Sequence, residues 1–404
     1  MPQLCLACGS DELTEVLNFG PQPAANLLCV GPAEDVRKET LALCYCDTCG
    51  HAQQKAVYPP DELFSHYLYQ SGTSKTLGVY FEWYADAIRN ALGTSARCLE
   101  IASNDGSFLR AMADVDMHCV GVEPASNLVS NCLEEGLEVV EGFWPDVKPE
   151  GLFDVITAQN VAAHTPDPFA FMEGIAKALS DDGVALVQAS QLDMFRNFEF
   201  DTLYHEHYSF YSPSSMAALA RRSGLDHVRF VKTNIHGGSL LGILGKSQDA
   251  VEKVLRSFQV GEFFLADLAE SARPSIETAK EFGNRANQTN TSLVNTCEVA
   301  RNAGWKIVLV GAAAKAITIL QTSGLKPDYV VDEAPMKIGR YIPGTVFKIQ
   351  PLNDVSTISE PCIFVMGAWN FQNELSRKIQ MLRATPDDKV LCYFPQFSLR
   401  PLGA

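Results

Sequence analysis

The sequence predicts a multidomain α/β protein: two units built on parallel sheets, preceded by a small metal-binding knob. Strand-like and helical segments alternate from residue 97 to about residue 190, and the alternation returns from residue 306. Two C-x-x-C pairs stand in the first fifty residues. A chain of 404 residues is too long for one compact core, so two or three domains are expected. The expected divisions are 1–65, 66–248 and 249–404, the last opening with a helical linker.

Composition narrows the class. Apolar residues make up 47% and charged residues 20% of the chain, which suits a globular protein. No apolar run reaches the roughly eighteen residues of a membrane span. The first residues, MPQLCLACGS, lack the basic and apolar regions of a secretory leader, so a cytoplasmic protein with no membrane partner is expected. A net charge of −16 argues against nucleic acid as a partner. It leaves room for an anionic small molecule, because a diphosphate needs only local donors.

The chain has 12 cysteines. In a cytosolic protein these are thiols or metal ligands before they are disulfides. Cys5 with Cys8 and Cys46 with Cys49 form two knuckles, each followed by glycine. Two residues between thiolates let one turn aim both sulfurs at one ion, and two such turns complete the tetrahedral sulfur shell that zinc prefers. With all four positions taken by sulfur, the metal is structural. A redox pair or plain buried thiols are the other readings; Cys29 and Cys44 are read as spare.

Arg97 to Ile101 reads as a buried strand, Cys119 to Glu123 as the next, and Phe153 to Ala158 and Val184 to Gln188 as two more. Helices are expected from Ser107, from Asn127 to Glu135 and from Pro168 to Leu179, with Asp181-Asp182-Gly183 as the stop. Strands separated by helices imply a parallel sheet with right-handed crossovers, and ligands bind such sheets beyond the carboxyl ends of the strands. Glu100, Ala102, Ser103, Asn104, Asp105 and Gly106 form a turn at that edge. Glu123, followed by Pro124, stands where an acid would take two ribose hydroxyls, and Asn160 and His164 follow a later strand. With only one glycine, the turn is a poor diphosphate cradle. Val228 to Val231 and Ser239 to Leu244 suit a closing antiparallel hairpin.

Tyr204, His205, Glu206, His207 and Tyr208 form a dense polar and aromatic cluster. Were it extended, His205 and His207 would face one way and Glu206, with Tyr204, the other. An acid/base station, a two-histidine metal site and a polar loop packed with aromatics are all open on spacing alone. Residues 249 to 303 show helical apolar spacing and are read as long helices. Strands are then expected at Lys306, Tyr329, Cys362 and Val390, without the glycine spacing of a dinucleotide loop. Trp369 suits core filling as well as stacking on a base.

Taken together, these residues resemble the three-domain sugar C-methyltransferases of deoxysugar and antibiotic biosynthesis. The resemblance rests on both C-x-x-C pairs, Gly20-Pro21-Gln22-Pro23, Tyr67 and Tyr69, and Glu100 to Gly106. It continues through Glu123-Pro124, Asn160 with His164, Glu206-His207 and His236-Gly237-Gly238. The last third adds Gly311 to Lys315, Asp332, Lys337 and Trp369-Asn370. It implies a class I methyltransferase Rossmann-like domain with an N-terminal zinc-binding subdomain and a second, C-terminal Rossmann-like domain. It implies S-adenosylmethionine on Glu100 to Gly106, Glu123, Pro124 and Asn160, and structural zinc on Cys5, Cys8, Cys46 and Cys49. Tyr69, His236, Gly237, Gly311, Lys315, Asp332, Lys337, Trp369 and Asn370 would hold a nucleotide-linked sugar. This chain departs from the family pattern at Ala102 (glycine), Gln188 (glutamate) and Leu241 (arginine).

Methylating carbon needs a carbanion equivalent, which a ketone supplies as its enolate. The resemblance makes His207 the base, with Glu206 orienting the site. Tyr67, Tyr69, Tyr204 and His164 are candidates to steady the enolate oxygen. The expected function is transfer of a methyl to the carbon next to the ketone of a thymidine-diphosphate deoxy keto-sugar, by a monomer or homodimer. A keto acceptor without a nucleotide is the alternative. An NAD(P)-dependent oxidoreductase lacks its glycine fingerprints here, and the intact Glu206-His207 pair speaks against a non-catalytic binding protein.

Overall fold

The computed structural model describes residues 3–32, 35–64, 71–383 and 385–403. Tyr67 and Tyr69 lie outside them. The chain forms two compact units. The first gathers residues 1–14, 44–193 and 206–276, and the second residues 15–43, 194–205 and 277–404.

The first unit is organised by an eight-stranded sheet. Its strands run in the order Phe264–Leu268, His227–Thr233, Ser239–Gly245, Leu179–Ala189, Phe153–Gln159, Cys98–Ile101, Cys119–Glu123 and Val139–Glu141. The last five pair in parallel and the first three join antiparallel. The parallel strands are buried on both faces, which is why they read as continuous apolar runs. Leu99, Ile101, Val120 and Val122 pack toward Phe171 and Ile175 of the helix Pro168–Ala178. Cys98, Val155 and Leu186 pack toward Tyr80, Tyr84 and Ile88 of the helix Lys75–Leu92.

That helix buries Leu77, Tyr80, Phe81, Tyr84, Ala85 and Ile88, the three-and-four spacing of one helical face. Each large side chain so buried contributes about 1.5–3 kcal/mol. Ser74 caps its start by accepting from Leu77 N at 3.3 Å, and Gly93 ends it at φ 81°. Ser71 N donates to Asn104 Oδ1 at 2.9 Å and Gly72 N to Asp105 Oδ2 at 2.8 Å. The approach to the helix is thereby laid against the turn after the strand Cys98–Ile101.

Two elements differ from the sequence expectation. Asp181-Asp182-Gly183 is not a stop: the helix ends at Ala178 and the strand Leu179–Ala189 runs straight through. The register slips between Phe153 and Val155, and a Cβ on Gly183 would sit 2.8 Å from Phe153 O, so the glycine serves an irregularity in the strand. Residues 249 to 303 also hold a strand, Phe264–Leu268, between the helices Gln248–Phe258 and Ile276–Asn302. Its middle residues are exposed, so no apolar alternation announced it.

The second unit carries a six-stranded sheet in the order Ile349–Pro351, Tyr329–Asp332, Lys306–Val310, Cys362–Met366, Lys389–Cys392 and Ser398–Pro401. All pair in parallel except the last. Strand order reverses between Lys306–Val310 and Cys362–Met366, where α/β sheets open a crevice. Cys29 and Tyr341 exchange backbone hydrogen bonds of 2.9 and 2.8 Å, fastening the segment 15–43 to this unit. Among the described residues no helix is long and apolar enough to cross a membrane.

Arg383 closes one end of this sheet. Its guanidinium is 4% exposed and meets Asp388, which is fully buried, at 2.6 and 3.0 Å. It also donates to the carbonyls of Val355, Ile358 and Glu360. Removing the cation strands a buried carboxylate and three carbonyls. Arg383→Leu is therefore expected to cost about 3–5 kcal/mol, read as a lowered midpoint of urea unfolding.

Candidate active site and metal centre

The four cysteines converge in the first unit. All four sulfurs lie within 4.8 Å of one another, with Cys5 Sγ 3.6 Å from Cys49 Sγ and Cys8 Sγ 3.7 Å from Cys46 Sγ. Zinc bonded to sulfur at about 2.3 Å demands tetrahedral edges of about 3.8 Å, so the cage fits that ion. Each knuckle turns on a glycine: Gly9 N donates to Cys5 O at 2.9 Å and Gly50 N to Cys46 O at 2.8 Å. Both glycines have positive φ. No sulfur is left over for an open coordination position, and the metal's role is structural.

The second knuckle leads straight to the histidine cluster. Beyond Gly50 the chain enters the strand Ala52–Gln54, which pairs antiparallel with Ser209–Phe210, Ala52 opposite Phe210 and Gln53 opposite Ser209. Gln54 Nε2 donates to His207 O at 2.7 Å, and Gln54 N to Tyr208 O at 3.0 Å. Ser212 Oγ donates to Gly50 O at 3.2 Å. From the other side, Tyr208 N donates to Ala163 O at 2.8 Å, and the Tyr208 hydroxyl to Tyr58 O at 2.5 Å. His207 is thus 3% exposed on a segment clamped at both flanks. Nothing in the sequence marked Gln54 for this task.

The cluster is a turn and not an extended strand, so the alternating-face expectation does not apply. Within the first unit, the rings of His207 and His164 lie 4.8 Å apart, and Phe210 packs on His207 at 5.8 Å. His164 Nδ1 donates to Glu206 O at 2.7 Å, which leaves its Nε2 as an acceptor. Burial pushes the His164 pKa down to about 4, so the ring is neutral at physiological pH. Glu206 is 1% exposed. Within the second unit, His205 Nε2 meets Glu39 O at 3.2 Å, and Tyr204 N donates to Thr202 O at 3.1 Å. Among the described residues the cysteines are the cluster that could hold a metal.

The turn after the strand Cys98–Ile101 has the shape a cofactor needs. Ala102 and Asn104 adopt φ of 59° and 51°, conformations that cost a residue with a side chain of the order of 1 kcal/mol. A Cβ on Gly106 would sit 2.5 Å from Leu137 Cδ1, so glycine is needed there. Glu123 Oε2 accepts from Asn104 N and Oε1 from Ala125 N, both at 2.9 Å. Both oxygens keep a lone pair for a ribose hydroxyl. Burial pushes the Glu123 carboxyl upward, opposed by those two N–H groups. Burial also holds the Glu100 carboxyl well above its usual range, and its Oε2 has no partner among the described residues. Ser103 Oγ is buried and unpartnered too. Asp105 accepts from Ser107 N and Oγ at the start of the next helix, and Pro124 follows the acid. Asn160 stands at φ 55°. The orphaned oxygens of Glu100 and Ser103 at the strand ends suit a nucleoside ligand without phosphate.

His236 and Gly237 sit in the left-handed turn between the antiparallel strands of this unit. In the second unit, Gly311 ends its strand so close to Ala368 that a Cβ would lie 2.8 Å from the Ala368 Cβ. A cleft of about 250 Å³ opens there, lined by Gly311, Asp332, Glu333, Leu352 and Phe371 among others. Asp332 accepts from Ala312 N at 2.6 Å and Ala334 N at 2.7 Å, with Lys337 Nζ at 3.4 Å. Lys315 lies 3.8 Å from Glu199 and 4.9 Å above the Trp369 ring. Trp369 Nε1 donates to Asp201 Oδ2 at 2.7 Å, so the indole is a hydrogen-bonding element and not plain filler. Burial raises the Asp201 pKa to about 6, against the pull of Lys315 and the indole. Asn370 is exposed. Asp201 escaped the sequence reading although it stands three residues before Tyr204.

Three family models match successive stretches of the chain. Residues 5–64 match a zinc binding domain, residues 79–229 a methyltransferase domain, and residues 234–395 a C-methyltransferase C-terminal domain. The three matches follow one another along the chain in the order zinc binding, methyltransferase and C-methyltransferase C-terminal. C-methyltransferase NovU of Streptomyces niveus is 28% identical over 388 residues, covering 92% of this chain and 90% of its own. CalS10, a SAM-bound amino pentose methyltransferase from Micromonospora echinaspora, is 14% identical with a TM-score of 0.35, covering 44% of this chain and 98% of its own. DesVI of Streptomyces venezuelae is 14% identical with a TM-score of 0.34, covering 42% and 93%. The matched methyltransferase and C-methyltransferase domains make the protein a SAM-dependent C-methyltransferase, and the four-cysteine cage gives it a structural zinc centre.

Two expectations follow for this C-methyltransferase. It should carry one zinc per chain, lost in Cys46→Ser. Removing the metal should speed amide exchange at residues 207–210 while the strands Cys98–Ile101 and Cys119–Glu123 stay protected. Exchange unchanged at 207–210 in metal-free protein would refute the clamp. The second concerns pH. The folded pKa of His164 lies below its unfolded value, so the unfolded chain binds the extra proton first as pH falls. The stability is full above pH 6.5 and is lost toward pH 4, by about 3 kcal/mol. His164→Gln should flatten the fall of the urea midpoint across that window.

Proposed function

We propose that this C-methyltransferase adds a methyl to the carbon next to the ketone of a nucleotide-linked deoxy sugar, with thymidine diphosphate as the carrier and His207 as the base. The observation that carries the reading is the His164–His207 pair: two buried imidazoles with ring centroids 4.8 Å apart, one of them held neutral. A base that must lift a proton from carbon at neutral pH needs to start uncharged and to be held in place.

When bound, S-adenosylmethionine supplies an electrophilic methyl on a sulfonium and a positive charge beside the forming anion. The chain's own residues do the rest. His207 takes the proton from the acceptor carbon, and the electrons of that C–H bond become the enolate. The carbon end of the enolate then takes the methyl, and the proton leaves His207 to solvent after transfer. A neutral imidazole is too weak for this unaided, so donors fixed at the carbonyl oxygen are required; Tyr204, with Tyr67 and Tyr69, supplies candidates. His164 Nδ1 on Glu206 O holds Glu206 and His207 in register. The second unit's Gly311, Asp332 and Trp369 are the proposed hold on the carrier nucleotide, with Lys315, Lys337 and Asn370 beside them.

The test begins with calorimetric titration of the protein with S-adenosylhomocysteine, then with thymidine diphosphate. Binding of both supports the reading; binding of the first alone moves the acceptor to a keto compound without this carrier. His207→Asn should lower methyl transfer to a 4-keto-6-deoxy nucleotide sugar by about 10²–10⁴-fold and leave S-adenosylhomocysteine affinity within a few-fold. Transfer retained in that variant would remove His207 as the base.

A further inference from the structure

Four carboxamides meet at one edge of the eight-stranded sheet. Gln159 ends its strand, and the parallel register sets it directly opposite Gln188 on the neighbouring strand. Asn160 comes next, its N–H donating to Gln188 O at 3.1 Å. Gln191 lies just past the end of the second strand. Asn160 and Gln191 both take left-handed backbone, with φ of 55° and 65°.

Gln188 is 1% exposed. The hydroxyl of Tyr80, itself fully buried, donates to Gln188 Oε1 at 3.2 Å and so fixes the amide. Its Nε2 has no partner among the described residues. Nor have Oε1 and Nε2 of Gln159, Oδ1 of Asn160 or Oε1 of Gln191, all of them buried. Leaving one such atom unsatisfied costs about 1–3 kcal/mol, so five together mark a buried polar row in need of a polar partner from outside the described residues.

The position separates these groups from the cofactor turn. That turn leaves the strand Cys98–Ile101, and Glu123 ends the strand on its far side; the glutamines end the two strands on the near side. From Asn160 the chain runs within four residues to His164, against which His207 stacks. The carboxamides therefore stand on the acceptor's side, which moves Asn160 there from the cofactor, where the family resemblance had put it. They carry donors and acceptors but no charge. Leu241, directly opposite Gln188 on the third strand, adds only an apolar wall.

We propose that Gln159 and Gln188, with Asn160 and Gln191, bind the hydroxyl and carbonyl oxygens of the acceptor and select an uncharged sugar over an amino sugar or a uronate. A carboxamide matches a hydroxyl in both roles, as donor and acceptor. An ammonium or a carboxylate brought against this row loses its hydration and finds no opposite charge on the four carboxamides. The inference rests on the proposal above that the acceptor is a nucleotide-linked sugar.

The test uses full-length enzyme saturated with S-adenosylhomocysteine. Calorimetry compares a thymidine-diphosphate hexose bearing only hydroxyls with its 3-amino counterpart. The wild type should favour the neutral sugar by about tenfold or more, and Gln188→Glu should erase or reverse that preference. S-Adenosylhomocysteine affinity should change less than about threefold, since the row is off the cofactor. Gln159→Glu serves as a second variant should the first unfold, judged by its melting temperature. Equal affinity in the wild type, or a preference unchanged in both folded variants, would overturn the carboxamide assignment alone. A tenfold loss of S-adenosylhomocysteine affinity would place the row on the cofactor and overturn it as well. Binding of neither sugar by a wild type that holds S-adenosylhomocysteine would end the nucleotide-sugar reading and this inference with it.

Discussion

The tetrahedral sulfur cage is the constraint on which the placement of His207 depends. A segment as short as Ser209–Phe210 has no stability as a strand by itself. It is held because Ala52–Gln54 offers it a partner, and Ala52–Gln54 is held because Cys46 and Cys49 fix the turn just before it. The metal is remote from the reacting carbon in chemistry, yet few residues separate it from His207 along the chain of hydrogen bonds. That economy explains why a protein with large sheets elsewhere keeps a zinc knob: the knob is a reference point for a loop that has no helix or long strand of its own.

Charge is managed by burial throughout the first unit. His164 is held neutral, the Glu100 carboxyl is pushed toward its protonated form, and the glutamine row carries no charge at all. A site that excludes water strengthens every dipole directed at a developing anion. The second unit works differently. There Arg383 and Asp388 neutralise each other deep in the sheet, while Lys315 is offset by Glu199 and leans on an indole. The two units share an architecture but spend polar groups on different tasks.

Much of the fold was legible in the sequence. The strands at 98–101, 119–123, 306–310, 329–332 and 362–366 are apolar because both faces are covered, and such runs announce themselves. Phe264–Leu268 did not, because a half-exposed edge strand shows no alternation. Asp181-Asp182-Gly183 misled, since the same residues that end a helix also suit an irregular strand. In the site, cysteine spacing and the Glu206-His207 pair were visible as rare residue types in rare patterns. Gln54, Gln159 and Asp201 were not, and Gln188 stood out only as a departure from the family pattern. Their chemistry is common, and only burial, which is a property of the folded chain, distinguishes them from surface residues.

The same closure appears once in each unit. An acid at the end of the second strand, Glu123 or Asp332, accepts the N–H of the first loop, from Asn104 or Ala312, and that of the residue two positions on, from Ala125 or Ala334. Each loop is therefore pinned by the protein's own carboxylate and not by a ligand's phosphate. Such a loop stands in its final shape before anything arrives. Association then needs no ordering step, so little conformational entropy is lost at the encounter, and the cofactor's arrival is a single kinetic event governed by diffusion and orientation.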